Sequence, residues 1–401
     1  MSDERARPAG VSGARPPVPG YDLEAWRREI PLLRRAIPMN NCSQAPQTER
    51  TRSAALEYLD SWDRAGMDWD AWIEEVEGAR ADFASLIGAR PEEVAVSTSV
   101  SVATSGLASA LDFTSGRSGV VISGAEFPTV SHVWLAQQAR GARVRYVPVH
   151  DGVLHPQDYD GAIDGDTLIV SACHGYYQTG FVQDIRAIAR MAHERGALVF
   201  VDAYQTLGTR PVDVKSLEVD FLASGCLKFL MGIPGLAFLY VREALIAELY
   251  PTVTGWFGRV DPYAFGTSEL DWPGEARRFD TGTPPLINAY VCRAGVRIIR
   301  EVGPERIREW HAALARRLID GGRARGLELL GTEDVDRRTA STAFLIPPGI
   351  GVDSHEIERR LRRRGIIASA RGPAIRLAPH FYSTLGDVDA ALDALAEAFR
   401  E

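Results

Sequence analysis

Ala197-Leu198-Val199-Phe200-Val201-Asp202-Ala203-Tyr204-Gln205 is an apolar run that ends abruptly in an acid. A second apolar run, residues 219–223, ends in Ser224-Gly225-Cys226-Leu227-Lys228, and Gly232-Ile233-Pro234-Gly235 then turns the chain into a third, residues 236–241. Short runs with no polar alternation suit strands buried on both faces. Working outward, similar runs occur at residues 94–96, 119–122, 144–149 and 168–171, with helix-length segments between them. Seven such strands predict an α/β fold with a seven-stranded, mostly parallel sheet covered by helices on both faces. Ligands of open α/β sheets sit at the carboxyl ends of the strands, so Asp202 and Lys228 are expected to face one site.

Residues 1–20 are rich in Arg, Pro, Gly and Ser and are expected to form a disordered arm. Residues 21–40 form an N-terminal segment that starts with an amphipathic helix and is expected to pack with the C-terminal part. The large domain is placed at residues 41–285. Near Pro284 the strand rhythm stops, and residues 286–401 predict a smaller α+β domain with strands near 343–346 and 374–377. The run Arg359-Arg360-Leu361-Arg362-Arg363-Arg364 also carries Ile357 and Leu361 at helical spacing, so it predicts a solvated helix face.

The chain has 401 residues, 45% of them hydrophobic, and a net charge of -8, which excludes bulk disorder and argues against nucleic acid as the main partner. No apolar run is long enough for a membrane helix or a signal peptide core, so no membrane partner is expected. Cysteines 42, 173, 226 and 292 show no paired spacing. They predict neither a disulfide framework nor a metal site, and suit a reducing cytoplasm. His132, His150 and His155 make no metal-ligand spacing either.

One cofactor needs both an acid and a lysine at strand ends. Pyridoxal 5'-phosphate takes a lysine amine as a Schiff base and a carboxylate beside its pyridine nitrogen. Its phosphate wants a helix N-terminus with hydroxyls, which Ser97-Thr98-Ser99-Val100-Ser101 offers. Its free face wants a flat partner, and Phe127 in Glu126-Phe127-Pro128-Thr129 is the candidate.

Over residues 38 to 395 the chain resembles the class V aminotransferase family of fold-type I pyridoxal phosphate enzymes, which includes cysteine desulfurases, kynureninases and isopenicillin N epimerase-like proteins. The resemblance rests on the stretches ending at Gln205 and Lys228, on Ser97-Thr98-Ser99, and on Phe279-Asp280-Thr281-Gly282-Thr283-Pro284. It implies that Lys228 is the Schiff-base lysine, Asp202 the pyridinium partner and Gln205 a partner of the ring hydroxyl. Thr98 and Ser99 match the phosphate-binding pair. Thr283 matches a threonine that reaches the phosphate of a neighbouring subunit, which implies a homodimer with shared active sites. Arg376, in Ile375-Arg376-Leu377-Ala378-Pro379, matches the holder of the substrate carboxylate. Trp256 lies in a segment similar to the kynureninase tryptophan loop, and His174 precedes a segment that lies over the ring. Asn41 and Ser43 fall in a segment that enters the substrate pocket in the family.

Four departures bear on activity. Val130 stands where kynureninases carry an aspartate. Leu227, before the lysine, cannot hydrogen-bond a phosphate. Phe127 replaces the proton-handling histidine of desulfurases, which leaves Lys228 as the main acid and base. No cysteine follows Cys292, so a desulfurase persulfide nucleophile is missing. Cys226 is expected to be a buried structural thiol, and Cys42 stays open. The expected reaction is transamination, or carbon–sulfur lyase-like cleavage at Cβ, of a free amino acid or amino-acid conjugate. A kynureninase-like hydrolase or an epimerase is the alternative. A non-catalytic cofactor-binding regulator is the remaining class, and the presence of both Lys228 and Asp202 speaks against it.

Overall fold

The computed structural model describes residues 18–114 and 116–401. The arm expected at residues 1–20 therefore falls almost wholly outside the described residues. Helix α1 (Leu23–Arg28), capped by the Asp22 side chain, leads through a 3-10 turn (Pro31–Arg34) to the short strand β1 (Ile37–Pro38). Helices α2 (Glu49–Ala65) and α3 (Trp69–Leu86) follow, separated at Gly66, whose φ of 71° takes the chain out of the helix.

The seven expected strands all form. They are β2 (Val94–Ser97), β3 (Gly119–Ser123), β4 (Arg143–Val147), β5 (Thr167–Cys173), β6 (Leu198–Asp202), β7 (Phe221–Gly225) and β8 (Ala237–Val241). They make one sheet in the order β2-β8-β7-β6-β5-β3-β4, parallel except that β8 runs against both its neighbours. Helices α4 (Val100–Ala110), α5 (Pro128–Ala136) and α6 (Ile185–Glu194) connect these strands, and the short α7 (Glu243–Ile246) follows them.

Strand alternation explains why the runs are apolar throughout. Val120, Ile122 and Phe200 join one core with Leu107 of α4 and Trp134 of α5. Their neighbours Val121, Val199 and Val201 join the other with Phe83 of α3 and Ile188 of α6. Successive side chains point to opposite faces, and both faces are covered, so neither face can be polar.

Helix α8 (Leu286–Val302) is followed at once by α9 (Pro304–Ala324). A four-stranded antiparallel sheet has the order β12-β13-β10-β9, with β9 (Leu329–Leu330), β10 (Thr342–Leu345), β12 (Ser369–Arg371) and β13 (Ala374–Leu377). Strand β11 (Ile366–Ile367) pairs with β1, and so ties the N-terminal segment to this part. Helices α10 (Ser354–Arg363) and α11 (Leu385–Ala398) complete it. Its core joins Leu314 and Leu318 of α9 to Ile357, Leu361, Ile375, Leu392 and Met39. On α10 the arginines face outward or pair, as Arg359 does with Glu356, while Ile357 and Leu361 are buried. Although the expected C-terminal domain starts at residue 286, α8 buries Ala289, Cys292, Val296 and Ile299 in the main core. Packing with the large sheet thus continues as far as Gly303.

Two features tie these layers together. Arg80 on α3 and Asp280 form a buried ion pair at 2.7 Å, and the other oxygen of Asp280 accepts from the Val96 N–H at 2.7 Å. The Phe279-to-Pro284 motif is therefore fastened to strand β2. Replacing Arg80 by methionine strands a buried carboxylate and is expected to cost about 3–5 kcal/mol of stability. Urea unfolding of the variant checks this, and an unchanged midpoint would refute the role given to the pair. The second feature corrects the sequence expectation for cysteine. Cys226 is no free thiol: it is joined by a disulfide to Cys292 on α8, across 66 positions of sequence. Spacing along the chain carried no sign of it, because only the fold brings α8 against the turn that follows β7. Cys42 and Cys173 are free and buried.

Candidate active site

The carboxyl ends of the parallel strands, with the start of antiparallel β8, surround a cavity of about 340 Å3. Asp202 closes β6, and Lys228 follows β7 with two residues between. Thr98 and Ser99 stand where β2 gives way to α4. Phe127 precedes α5. Strand β3 is the point where the chain changes direction, since β4 adds on one side of it and β5 on the other. Such a switch point opens a crevice at the strand ends.

Lys228, Asp202, Gln205, Thr98, Ser99, Phe127, Ser43 and Arg376 all line this cavity. The Lys228 ammonium lies between two rings, 4.1 Å from the Tyr204 centroid and 5.3 Å from that of Phe127. Burial disfavours its charged form and lowers its pKa to about 8, against the opposing pull of Asp202. The chain contains only two lysines. The other, Lys215, pairs with Glu93 and reaches the Tyr240 hydroxyl at 3.3 Å, away from the cavity.

Asp202 is buried and accepts the Tyr204 N–H at 2.8 Å. Burial pushes its carboxyl up, while Tyr204 and Lys228 favour its charge. Glu126 lies behind it, fully enclosed, with one oxygen accepting from Ser171 at 3.0 Å and the other without a partner. Burial and the charge of Asp202 drive the Glu126 carboxyl well above the usual range. Burial thus disfavours charge on Glu126, whereas Asp202, facing the cavity, has the Tyr204 N–H and Lys228 to favour its charge.

Arg376 is almost fully buried, yet it is bound only by neutral oxygens. It donates to the Tyr177 carbonyl, to Ser43 at 3.0 Å and to Ser369 at 2.7 Å, and its Nε has no partner. A buried guanidinium without a carboxylate is costly unless an anion arrives to meet it. At the opposite end, Ser99 caps α4 by accepting from Val102 N–H at 3.2 Å, and the helix N-terminus faces the cavity. An amine of lowered pKa, a buried anionic carboxylate, hydroxyls at a helix N-terminus and an aromatic face together fit pyridoxal phosphate. Gly225 makes room for Tyr204: a Cβ there would lie 2.3 Å from the Tyr204 hydroxyl oxygen.

Other expected site residues lie elsewhere. Asn41 is buried and spends its amide on the Ala378 carbonyl at 2.8 Å and the Tyr382 hydroxyl at 2.7 Å. His174 is buried outside the cavity, 3.0 Å from the Thr206 hydroxyl, and burial holds its pKa down to about 3. Trp256 stacks on Trp69 at 6.1 Å and on Phe265, in a surface cluster remote from Lys228. Thr283 is exposed and outside the cavity of its own chain. Val130 is sealed in the core of α5.

Several contributors escaped the sequence reading. Tyr204 covers the lysine, and its position inside the Asp202-to-Gln205 run was the available signal. His380 reaches the Phe229 carbonyl at 3.0 Å and so braces the turn that carries Lys228. Arg371 lines the cavity beside Arg376; Cys42, left open by the sequence, lines it from the N-terminal segment.

A lysine and an acid arranged in this way on a doubly covered parallel sheet define a pyridoxal phosphate-dependent enzyme. The family model for class V aminotransferases matches residues 56–382, and the chain belongs to that family. It is 36% identical over 382 residues to an uncharacterized aminotransferase of Bacillus subtilis, covering 93% of this chain and 97% of that one. A probable cysteine desulfurase of Methanothermobacter thermautotrophicus is 31% identical, covering 74% and 76% of the two chains. A kynureninase of Deinococcus radiodurans is 35% identical over 62% of this chain and 60% of its own. Among solved structures, the fold matches the apo cysteine desulfurase of Thermococcus onnurineus with a TM-score of 0.84 at 22% identity, covering 97% and 100%.

Proposed function

We propose that this enzyme transaminates a free amino acid, with Lys228 as its one acid–base group and Arg376 as the holder of the substrate carboxylate. The observation that carries the proposal is the single amine at the centre of the cavity, faced on its other side by a phenyl ring that has no proton to give. Transamination asks one base to take a proton from the substrate Cα and return it to a neighbouring carbon. Epimerisation asks for a second base on the opposite face.

Bound in this site, pyridoxal phosphate would supply a sink for the electron pair left at the substrate Cα. Asp202 would hold the proton on the ring nitrogen, and Gln205 would lie beside it. Thr98 and Ser99 would receive the phosphate at the start of α4. Arg376, pinned by Ser43 and Ser369, would orient the substrate carboxylate so that the Cα proton faces Lys228. Lys228, with its pKa lowered to about 8, is poised to exchange that proton near neutral pH. Phe127 and Tyr204 keep water from the amine.

A second reading, cleavage at Cβ with loss of a thiol, uses the same proton removal, and likeness to a probable cysteine desulfurase favours it. A single-turnover spectrum with an amino-acid panel and no keto acid separates the two. Conversion of one equivalent of cofactor per site, then a halt until a keto acid is added, is the expected result. Continued release of ammonia or thiol without an acceptor would replace transamination by lysis.

We further propose a homodimer in which Thr283 of each chain serves the other's phosphate site. The exposed Thr283 and the surface apolar residues Trp62, Met67 and Phe265 support this reading. Activity is expected to fall on dilution in step with dimer dissociation followed by sedimentation. A fully active monomer would contradict it.

A further inference from the structure

We infer that the substrate is an acidic amino acid, and that Arg371 receives its second, side-chain carboxylate. The inference rests on the proposed role of Arg376 and adds a substrate class to it.

The hairpin β12–β13 carries the argument. Its register sets Ser369 opposite Arg376 and Arg371 opposite Ala374. Side chains directly opposite share a face, as do residues two apart on one strand. Ser369, Arg371 and Arg376 therefore project from one face of the hairpin, and both guanidiniums line the cavity. Arg371 donates to the carbonyl of its own neighbour, Ala370, at 2.8 Å. Arg376 donates to the Tyr177 carbonyl and two hydroxyls. Among the described residues neither arginine has a carboxylate partner within ion-pair distance.

Charge then sets the requirement. Lys228, Arg371 and Arg376 line the cavity against one carboxylate, Asp202, which the proposed function reserves for the cofactor's ring nitrogen. Both arginines act to lower the proton affinity of Lys228, so their fields reach the reacting amine. Thr98 and Ser99, which would hold the cofactor phosphate, stand beside α4. A substrate with one carboxylate satisfies Arg376 alone and leaves Arg371 facing it unmet. At a rise of about 3.3 Å per residue, the two guanidiniums stem from points roughly 7 Å apart along the hairpin. That offset suits two carboxylates joined by a short chain, as in aspartate or glutamate. The planar fork of each arginine matches a carboxylate by two parallel hydrogen bonds.

The test uses holoenzyme and two acids of equal chain length that carry no amine: glutarate, with two carboxylates, and valerate, with one. Neither reacts, so calorimetric titration reports binding alone. Glutarate is expected to bind at least tenfold more tightly than valerate. Arg371→Gln is expected to bring glutarate down to the level of valerate while the valerate constant stays within about twofold, as binding to Arg376 alone requires. Arg376→Gln should weaken both. The cofactor absorbance of each variant shows that the site has folded. Equal binding of the two acids by the unaltered protein, or a preference that survives Arg371→Gln, overturns the assignment and makes Arg371 a solvated side chain. Failure of valerate and glutarate alike would instead remove the role of Arg376, and the substrate class with it.

Discussion

Lys228→Ala is expected to yield a folded protein without the cofactor's visible band and with turnover reduced by 10⁴-fold or more, since in the proposed roles of Lys228 it removes both the attachment point and a general base that alone contributes about 10²–10⁴-fold. No other residue can substitute. The chain's second lysine is tied to Glu93 on another surface, and no histidine lines the cavity among the described residues. Lys228→Arg should be nearly as damaging, because a guanidinium keeps its proton at any working pH and offers neither nucleophile nor base. The lowered pKa adds a pH signature. Only the neutral amine attacks a carbonyl, and Lys228 loses its proton as pH rises through about 8, so cofactor uptake by the cofactor-free protein should accelerate across that range and level off above it. Stopped-flow absorbance after mixing with pyridoxal phosphate measures this. An uptake rate that is flat from pH 6 to 9 would contradict the burial argument.

The second large effect is expected at Asp202. Asp202→Asn keeps the shape of the side chain but removes the negative charge that stabilises a protonated pyridine nitrogen. With cofactor still bound, kcat should fall by about 10²–10³-fold, the scale of losing one preorganised electrostatic partner. Folding should survive, because the variant removes a buried charge rather than stranding one, and the Tyr204 N–H still finds an oxygen. Steady-state kinetics at saturating cofactor, with occupancy read from absorbance, check the prediction. A kcat within threefold of the unaltered enzyme would take the ring nitrogen away from Asp202.

These residues were legible because their chemistry coincides with a topological landmark. A continuous apolar run announces a strand buried on both faces, and whatever polar residue ends it lies at the sheet's carboxyl edge. Asp202 and the stretch to Lys228 both have that form, as does Val94 to Ser97 before Thr98. Contributions set by tertiary packing were not legible. The face on which Arg371 projects depends on hairpin register, and a one-residue shift would turn it away. The Cys226–Cys292 bond depends on where α8 settles against the turn after β7. Asn41 and His174 have polar side chains in suggestive places, yet their hydrogen bonds are spent inside the fold, on Ala378, Tyr382 and Thr206. Sequence pattern gives the position of a polar group but not which partner satisfies it.

The most direct measurement is borohydride reduction of the yellow holoenzyme, followed by digestion and peptide mass spectrometry. A pyridoxyl-phosphate adduct on the peptide containing Lys228, and none on that containing Lys215, is the predicted result. An adduct on Lys215, or none on either peptide, would contradict the account of this site.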